Sequence, residues 1–321
     1  MRASIRFSRV LIVVALVLAA LSGCGRQEEG KLRILVSPKG LTHNFWMSVK
    51  AGADSAGREL GAEIIWKGPA METDIPGQIA ILEDYINKRV DAIVLAATDS
   101  RAVVPTLEEA AARGIKIITI DSGVESDLPL SFVASDNVLA ANIAADVLSD
   151  LIGGAGQVAC IPFIPGAETS IWREKGFKQG LEKHPDVELV AVQYSQADVA
   201  TGMAVTENVL TAWPELDGIF AANESGAIGA AQALIARNLQ GKVKLVAFDA
   251  APNEIEGLNS GVIQALIVQN PFAIGYRGVK TAVDALAGKD VPPRIDTGIV
   301  VVTKDNLDDP EIRKILDPTA R

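Results

Sequence analysis

Residues that build covalent and metal-based chemistry are scarce in this chain. Its 321 residues include two cysteines and two histidines, and 5% are aromatic. Zinc sites draw on several Cys or His ligands, and the chain has no phosphate-binding glycine loop, nucleophile elbow or metalloprotease helix. Cys160 lies in the apolar run Gln157–Ile161, which is typical of a buried strand and an inert core thiol. We therefore expect no metal, no cofactor and no catalytic residue.

Basic side chains are also in deficit. The chain has 30 Lys and Arg against 40 Asp and Glu, a net charge of −10. Three of the arginines precede residue 10, so the remainder carries a net charge of −13. Phosphate backbones and anionic lipid surfaces repel a protein this acidic. The composition therefore argues against nucleic acid as a partner.

One hydrophobic run bears on the location of the protein. Three arginines precede apolar residues 10–21, and the motif Leu21-Ser22-Gly23-Cys24 closes the run. This apolar stretch is too short to span a bilayer comfortably, and it follows a basic segment, as in an export signal. The alternative is an uncleaved anchor helix. The motif resembles bacterial lipoprotein signals. We predict a signal peptide at residues 1–23, a lipid on Cys24, a polar tether at 24–30, and a place outside the cytoplasm, on the cell membrane or in the periplasmic envelope.

From Lys31 onward, short apolar runs alternate with helical patterns. The predicted strands include Leu32–Ser37, Glu63–Trp66, Ala92–Ala97 and Lys116–Asp121, and the predicted helices include Ile75–Asn87 and Val103–Ala112. Continuous β-branched runs are typical of strands that are covered on both faces. Regular alternation with helices of this length predicts an α/β protein with parallel, doubly wound sheets.

The chain also repeats itself. Asp91–Ala96 resembles Asp217–Ala222 at an offset of 126 residues, and Lys116–Asp121 resembles Lys244–Asp249 at an offset of 128. Two matches at nearly one offset indicate two lobes built to one plan. Because ligands of open α/β sheets bind beyond the carboxyl ends of the strands, the residues that follow the strands are candidates for a shared cleft.

Those strand ends supply aromatic, acidic, amide and guanidinium groups. The candidates are Phe45, Trp46, Asp121, Ser122, Trp172, Arg173, Asn223 and Asp249. Aromatic faces stack on the C–H face of a sugar ring, and charged groups pair with its hydroxyls at about 1.5–3 kcal/mol each when water is excluded. The set suits a small polyol or monosaccharide. In the alternative interpretation, Asp121 and Asp249 only cap turns and one of Phe45 and Trp46 is a core residue.

The motifs together resemble the periplasmic sugar-binding proteins of the ribose-binding type, which are receptors of ABC importers. The matching segments are Phe45–Ala53, Ile120-Asp121, Ala134–Asn137, Arg173–Phe177, Phe220–Glu224, Phe248-Asp249 and Val268–Pro271. The resemblance implies an α/β fold of two Rossmann-like doubly wound lobes joined by three hinge crossovers, the type I periplasmic binding fold, and a monomer. It places ring-stacking aromatics on Phe45 and Trp46, carboxylates on Asp121 and Asp249, the arginine on Arg173, and amides on Asn223 and Gln269.

The crossovers divide the chain into an N-terminal lobe and a C-terminal lobe. The predicted N-terminal lobe is residues 31–135 with 270–297, and the C-terminal lobe is residues 136–269 with 298–321. We expect the hinge near Ser135-Asp136, Gln269-Asn270 and Asp296-Thr297.

Three departures from the ribose-type pattern bear on the ligand. Ser122 stands where a second arginine is expected, the third aromatic near Ala197-Asp198 is absent, and the loop Pro38–Asn44 is about two residues longer. With one cation lost and both acids kept, an anionic sugar is disfavoured, because unpaired buried charges are costly. The prediction is a neutral sugar, sugar alcohol or modified pentose. His43, Ser122 and Trp172 form a second group of candidate contacts.

Two other functions fit the same sequence. The lobes could present a sugar or a furanosyl autoinducer to a sensor kinase or a chemoreceptor instead of a permease. Acidic residues such as Glu168, Glu174 and Glu224 could also be paired for glycoside hydrolysis, although lobes without a barrel and a cleft matched to hydroxyls argue against it.

Overall fold

Strands and helices alternate through residues 31–317, which are the residues that the computed structural model describes. The predicted signal peptide at 1–23, the predicted lipid site Cys24 and the tether at 24–30 lie outside these residues. The strands are β1 (Arg33–Ser37), β2 (Glu63–Trp66), β3 (Ala92–Leu95), β4 (Lys116–Ile120), β5 (Ser131–Ala134), β6 (Gly156–Ile161), β7 (Val187–Val192), β8 (Gly218–Ala221), β9 (Lys244–Phe248), β10 (Ala265–Gln269), β11 (Arg294–Asp296) and β12 (Ile299–Val302). The helices are α1 (Asn44–Leu60), α2 (Ile75–Asn87), α3 (Val104–Ala112), α4 (Asn137–Leu151), α5 (Glu168–Leu181), α6 (Val199–Ala212), α7 (Glu224–Ala236), α8 (Pro252–Ser260), α9 (Pro271–Leu286) and α10 (Pro310–Leu316).

The strands form two six-stranded sheets. The first has the order β11-β5-β4-β3-β1-β2 and its strands are all parallel. The second has the order β12-β10-β9-β8-β6-β7, in which β12 runs antiparallel to β10. Five consecutive strands are thus arranged in the same order in both sheets, as the internal repeat predicts. The predicted fold class is confirmed.

The chain passes between the sheets at three places. It leaves the first sheet after β5 for α4, returns after β10 through α9, and crosses again between β11 and β12. Side chains cap the helices that follow the first two crossings: Asp136 accepts a hydrogen bond from the Leu139 N–H at 3.0 Å, and Asn270 from the Ala273 N–H at 2.9 Å. Capping residues start each helix directly at the crossing.

Each sheet is apolar on both faces. Ile34 and Val36 of β1 pack on the cluster under α1 and α9, whereas Leu35 packs on the opposite cluster under α2 and α3. In the second sheet, Val158 and Cys160 of β6 face α4 and α5. Successive strand residues point to opposite faces, so each sheet separates two hydrophobic layers.

Helices α1 and α9 touch through their backbones. A Cβ atom at Gly52 would lie 2.0 Å from the Phe272 carbonyl oxygen, and one at Gly275 would lie 1.9 Å from the Val49 carbonyl oxygen. Only glycine permits this approach. Gly176 of α5 lies almost as close to the backbone of α4 in the second lobe. The contacts fix the N-terminal ends of α1 and α5 at the carboxyl edges of their sheets.

Candidate ligand-binding site

The carboxyl ends of both sheets line one small cavity. Every residue of the first predicted group contributes to it: Phe45, Trp46, Asp121, Arg173, Asn223, Asp249 and Gln269. His43 lines it as well, together with four residues that were not predicted as contacts: Lys39, Glu72, Phe163 and Glu224.

Two aromatic rings form the wall contributed by α1. The Trp46 side chain is 1% exposed, and its Nε1–H donates a hydrogen bond to Glu72 Oε1 at 2.8 Å. Phe45 packs edge-on against Trp46, with ring centroids 4.9 Å apart and planes at 86°. Because its one polar atom is bonded to Glu72, the indole is fixed in orientation and its apolar face is free to pack against another group.

The two predicted carboxylates occupy equivalent, strained positions. Asp121 follows β4 with φ 56° and Asp249 follows β9 with φ 88°. Their N–H groups donate to the Val133 and Ile267 carbonyls, both at 3.0 Å. Left-handed backbone costs a residue other than glycine about 1–3 kcal/mol and is concentrated at functional sites. The two repeated lobes thus present equivalent strained carboxylates at one cavity.

Lys39 reaches into the cavity from the loop after β1. Its Nζ lies 2.9 Å from Asp121 Oδ2 and donates a hydrogen bond to Thr169 Oγ1, also at 2.9 Å. The ammonium also lies over the Trp46 ring, 5.6 Å from its centroid, and over the Phe163 ring at 5.1 Å. Lys39 therefore connects the two lobes and places a positive charge between two aromatic faces.

Lys39 supplies the positive charge beside Asp121 that the arginine expected at position 122 would carry. The Ser122 hydroxyl is fully buried, does not line the cavity and has no hydrogen-bond partner. Lys39 belongs to the longer loop Pro38–Asn44, whose length alone does not reveal which side chain turns inward. Glu72 lies in the loop before α2, where no pattern in the sequence distinguished it.

The Glu72 carboxylate is held ionised. Burial by itself raises the pKa of Glu72, but the charges of Lys39 and His43 and the hydrogen bond from Trp46 together lower it to about 2. The cavity thus has three cationic side chains, counting protonated His43, and four acidic ones. They are Lys39, His43 and Arg173, and Glu72, Asp121, Glu224 and Asp249.

Arg173 is buried inside the second lobe. It is 2% exposed; its Nε–H donates to Asn137 Oδ1 at 2.8 Å and its Nη1–H to the Ala222 carbonyl at 2.7 Å. The guanidinium carbon lies 3.6 Å from the Phe248 ring centroid. Burial lowers the pKa of Arg173, and the nearby charge of Asp249 opposes this shift. A stacked and bonded guanidinium is a rigid donor with a fixed direction.

Asp249 organises the rest of the second-lobe wall. Its Oδ1 accepts from Gln269 Nε2 at 2.9 Å and its Oδ2 from the Glu224 N–H at 3.2 Å. Burial raises the pKa of Asp249. Asn223 accepts from the Gly226 N–H at 3.0 Å and so caps α7. Gln269 Oε1 is buried and has no hydrogen-bond partner.

Glu224 caps a helix of the opposite lobe. Its Oε1 accepts from the N–H and the Nδ2 of Asn44 at 3.0 and 3.2 Å, and its Oε2 accepts from the Phe45 N–H at 3.0 Å. Helix α1 receives no side-chain cap from its own N-cap residue, His43. The first N–H groups of a helix lack partners within the helix and attract anions. This capping requires the two lobes to be together, so the structure shows a closed arrangement.

Trp172 lies beside the cavity and does not line it. Its ring tilts against Phe132 of β5, with centroids 6.0 Å apart, so the pair forms an aromatic contact between the two lobes. Within residues 31–317, no group of three or more His, Cys, Asp or Glu side chains could hold a metal ion. In the same range no helix has the length and apolar character needed to cross a membrane.

Comparison with known proteins identifies the family. The periplasmic binding protein domain matches residues 34–290. The ribose import binding protein of Bacillus subtilis is 30% identical over 284 residues, covering 88% of this chain and 90% of that protein. The D-allose-binding periplasmic protein of Escherichia coli is 31% identical over 264 residues, covering 79% and 85%.

Solved structures agree with these matches. A carbohydrate transporter solute-binding protein from Agrobacterium radiobacter, crystallised with D-arabinose, superposes with a TM-score of 0.87 at 36% identity, covering 90% of this chain and all of that one. The repeated sheets, the shared cavity and these matches lead to one conclusion. The chain belongs to the periplasmic binding protein family, as a ribose-type sugar-binding receptor of an ABC importer.

Proposed function

We propose that the cavity binds an uncharged monosaccharide, sugar alcohol or modified pentose, and that the receptor closes around it and delivers it to a membrane permease. An unused acceptor carries the proposal. Gln269 Oε1 is buried and has no donor, whereas Asp121 Oδ2 is paired with the Lys39 ammonium at 2.9 Å. A buried acceptor without a donor costs about 1–3 kcal/mol. A ligand hydroxyl group would supply the missing donor.

The balance of charge supports a neutral ligand. Four acids face three cations, and each cation already has a partner: Lys39 lies beside Asp121, His43 beside Glu72, and Arg173 is within the electrostatic reach of Asp249. An anionic group would have to displace one of these acids and leave it buried and unpaired, which is costly. Hydroxyl groups can bond to the same acids without adding charge.

The residues divide by role in this proposal. Phe45 and Trp46 of the first lobe and Phe163 of the second supply aromatic surface for the sugar ring, with the Lys39 ammonium between the Trp46 and Phe163 rings. Phe163 takes the place of the aromatic that is absent near Ala197. The hydroxyl contacts are assigned to Asp121, Arg173, Asn223, Asp249 and Gln269. The direction of each group is set by the bonds described above, so the site is preorganised for a ligand of fixed shape.

The lobes of the proposal are residues 31–135 with 270–297, and residues 136–269 with the remainder from 298. Ser135 Oγ lies 3.2 Å from Thr297 Oγ1 and donates to the Gly298 carbonyl at 2.8 Å, so two of the three crossings are joined at the expected hinge. A ligand shifts such a hinge only through its higher affinity for the closed form.

Further parts of the proposal concern the setting of the receptor. Lipid on Cys24 would hold it at the membrane, and it would act as a monomer without enzymatic activity. Delivery of the same ligand to a sensor kinase or chemoreceptor is the second candidate function, favoured only by the cavity's fit to a sugar. Deleting the permease gene would abolish uptake of the ligand in the first case and leave uptake unchanged in the second.

A thermal-shift screen tests the ligand class. D-Ribose, D-allose, D-arabinose and xylitol represent neutral ligands, and ribose 5-phosphate and glucuronate represent anions. A ligand at 100 times its Kd adds about 2.7 kcal/mol of stability, so a neutral compound should raise Tm clearly. Stabilisation by the anions alone would overturn the proposal.

The variant Asp121→Asn tests the assigned contact in the same assay. Loss of a charge-assisted hydrogen bond should weaken the affinity for the stabilising sugar by about tenfold or more. Asp127→Asn, at an exposed site in the loop after β4, is the matched control and should bind as the parent protein does. Equal affinity of both variants would remove Asp121 from the ligand contacts.

A further inference from the structure

His43 bridges the two lobes through both nitrogens of its ring. Nδ1 lies 3.1 Å from Glu72 Oε1 in its own lobe, and Nε2 lies 3.1 Å from the Ala197 carbonyl oxygen in the other lobe. The side chain is 12% exposed. A carbonyl oxygen and an ionised carboxylate only accept hydrogen bonds, whereas a neutral imidazole has a single N–H. Only the doubly protonated imidazolium donates to both partners.

The second lobe presents the Ala197 carbonyl on strained backbone. Gln196 and Ala197 are consecutive left-handed residues, with φ 55° and 53°. The N–H groups of Ser195 and Gln196 donate to the carbonyls of Pro162 and Phe163, both at 2.9 Å, and so hold the loop in place. Left-handed backbone is strained in residues other than glycine. The strain is stored at the place where the ribose-type pattern has its third aromatic.

We propose that His43 is a positioning residue that clasps the lobes as an imidazolium, so that closing the receptor takes up a proton. The inference rests on the proposed closure around a ligand. Opening the cleft would break the bond to Ala197 and leave the bond to Glu72 intact, because Glu72 belongs to the same lobe as His43. The chain thus joins its own lobes where a ribose-type receptor is expected to stack on the ligand.

Acidic groups of both lobes interact with the imidazole: Glu72 from a loop of the first lobe, and Asp198 before α6 and Glu224 on α7 from the second. The cations Lys39 and Arg173 line the same cavity. Burial would lower the pKa of His43, but Glu72, Glu224 and the Ala197 carbonyl together raise it to about 9.

The direction of the pH effect follows from which contacts closure adds. Burial on closure opposes protonation, but the geometry of the two ring nitrogens favours it. In the open form a neutral His43 can donate its Nδ1–H to Glu72 while Nε2 accepts from water, whereas in the closed form that Nε2 would face the Ala197 carbonyl oxygen without a proton. The closed form therefore binds the proton more tightly. The clasp is complete below the pKa that His43 has in the open form, and it is lost as the pH rises to about 9. Over that range the equilibrium constant for closing falls by at most about tenfold per pH unit. Glu168, a second titrating group between the lobes, has a pKa of about 7, so a test should begin above it.

Small-angle scattering of the ligand-free full chain at pH 7.5 and 9.8 tests the clasp without any sugar. The parent protein should have a smaller mean radius of gyration at the lower pH than at the higher, because a larger fraction of it is closed. His43→Gln should be expanded at both, with unchanged far-UV circular dichroism. The only other histidine, His184, pairs with Asp146 on the surface of the second lobe, and His184→Gln should behave as the parent does. A radius of gyration that ignores pH in the parent, or that is equal in His43→Gln and the parent at pH 7.5, would overturn the inference.

Calorimetry with D-ribose and D-allose adds a second measurement. Binding at pH 8.5 should take up a fraction of a proton, and the affinity should fall by roughly tenfold between pH 7.5 and 9.5. His43→Gln should lose both effects. If no neutral compound of the screen binds, the ligand prediction fails and scattering alone decides on the clasp, so the two failures are distinguishable.

Discussion

Glu224 offers the sharpest test of how the lobes stay together. Its carboxylate accepts three hydrogen bonds from the start of α1, which belongs to the other lobe and has no side-chain cap of its own. Glu224→Gln removes the charge and keeps nearly the same shape. Because the contacts exist only in the closed arrangement, the change should destabilise that arrangement and leave each lobe folded.

The magnitude follows from the physics of helix N-termini. A carboxylate at a partly buried N-terminus contributes up to about 2 kcal/mol, and a lost cap costs about 0.5–2 kcal/mol. A cost of about 1–2 kcal/mol lowers the closing equilibrium, and hence the apparent affinity, by about 5- to 30-fold. At pH 9.8, where the open form of the ligand-free protein predominates, the unfolding midpoint should change little.

Calorimetry with the neutral sugar found by the screen measures the affinity, and scattering measures closure at saturating ligand. Glu188→Gln, an exposed acid on β7, is the matched control and should bind as the parent does. Parent-like affinity and parent-like compaction in Glu224→Gln would refute the reasoning, because the cap would then contribute nothing to closure.

Two further predictions concern other parts of the fold. Gly275→Ala should destabilise the protein by about 1–3 kcal/mol or more, because its Cβ would lie 1.9 Å from the Val49 carbonyl oxygen. Thermal unfolding measures the change, with Ser55→Ala on α1 as the control. An unchanged midpoint in Gly275→Ala would show that the helices can separate freely. Burial raises the pKa of Glu168 to about 7, against the hydrogen bond from the Gly123 N–H. Closed lobes therefore bind a proton on Glu168 that open lobes release, so the affinity for the sugar should fall as the pH rises from about 5 to about 7. Glu168→Gln should flatten this dependence of affinity on pH. A dependence that persists in the variant would show that Glu168 is not the group that binds the proton.

The regular elements could be predicted because their signals are local. The apolar runs of β2 and the periodicity of α2 give the observed bounds, Glu63–Trp66 and Ile75–Asn87. The offset of the repeat then brought equivalent strand ends together, which placed Asp121 and Asp249 at one cavity. Each of these steps depends on spacing along a short stretch of chain or on one repeat.

The remaining features of the site could not be predicted because they depend on distant partners. Lys39 reaches Thr169 across 130 residues, and Glu224 reaches Asn44 across 180. Neither pair has a sequence pattern, since a loop lysine or a helix-start glutamate is usually a solvated surface residue. Trp172 was a candidate by the repeat, but its ring packs on Phe132 instead of lining the cavity.

The order of synthesis along the chain has a consequence for how the receptor is made. In the first sheet β11 pairs with β5, and α1 packs on α9 through the close contacts at Gly52 and Gly275. Both β11 and α9 follow β6 to β10 in the sequence. The N-terminal lobe therefore cannot finish folding while the ribosome is still producing the other lobe, unlike a domain that folds as soon as it emerges. A chain kept incomplete until its last fifty residues remains suited to threading through a secretion channel in an unfolded state. Fusing residues 271–296 directly behind β5 should yield a first lobe that folds early and is exported poorly.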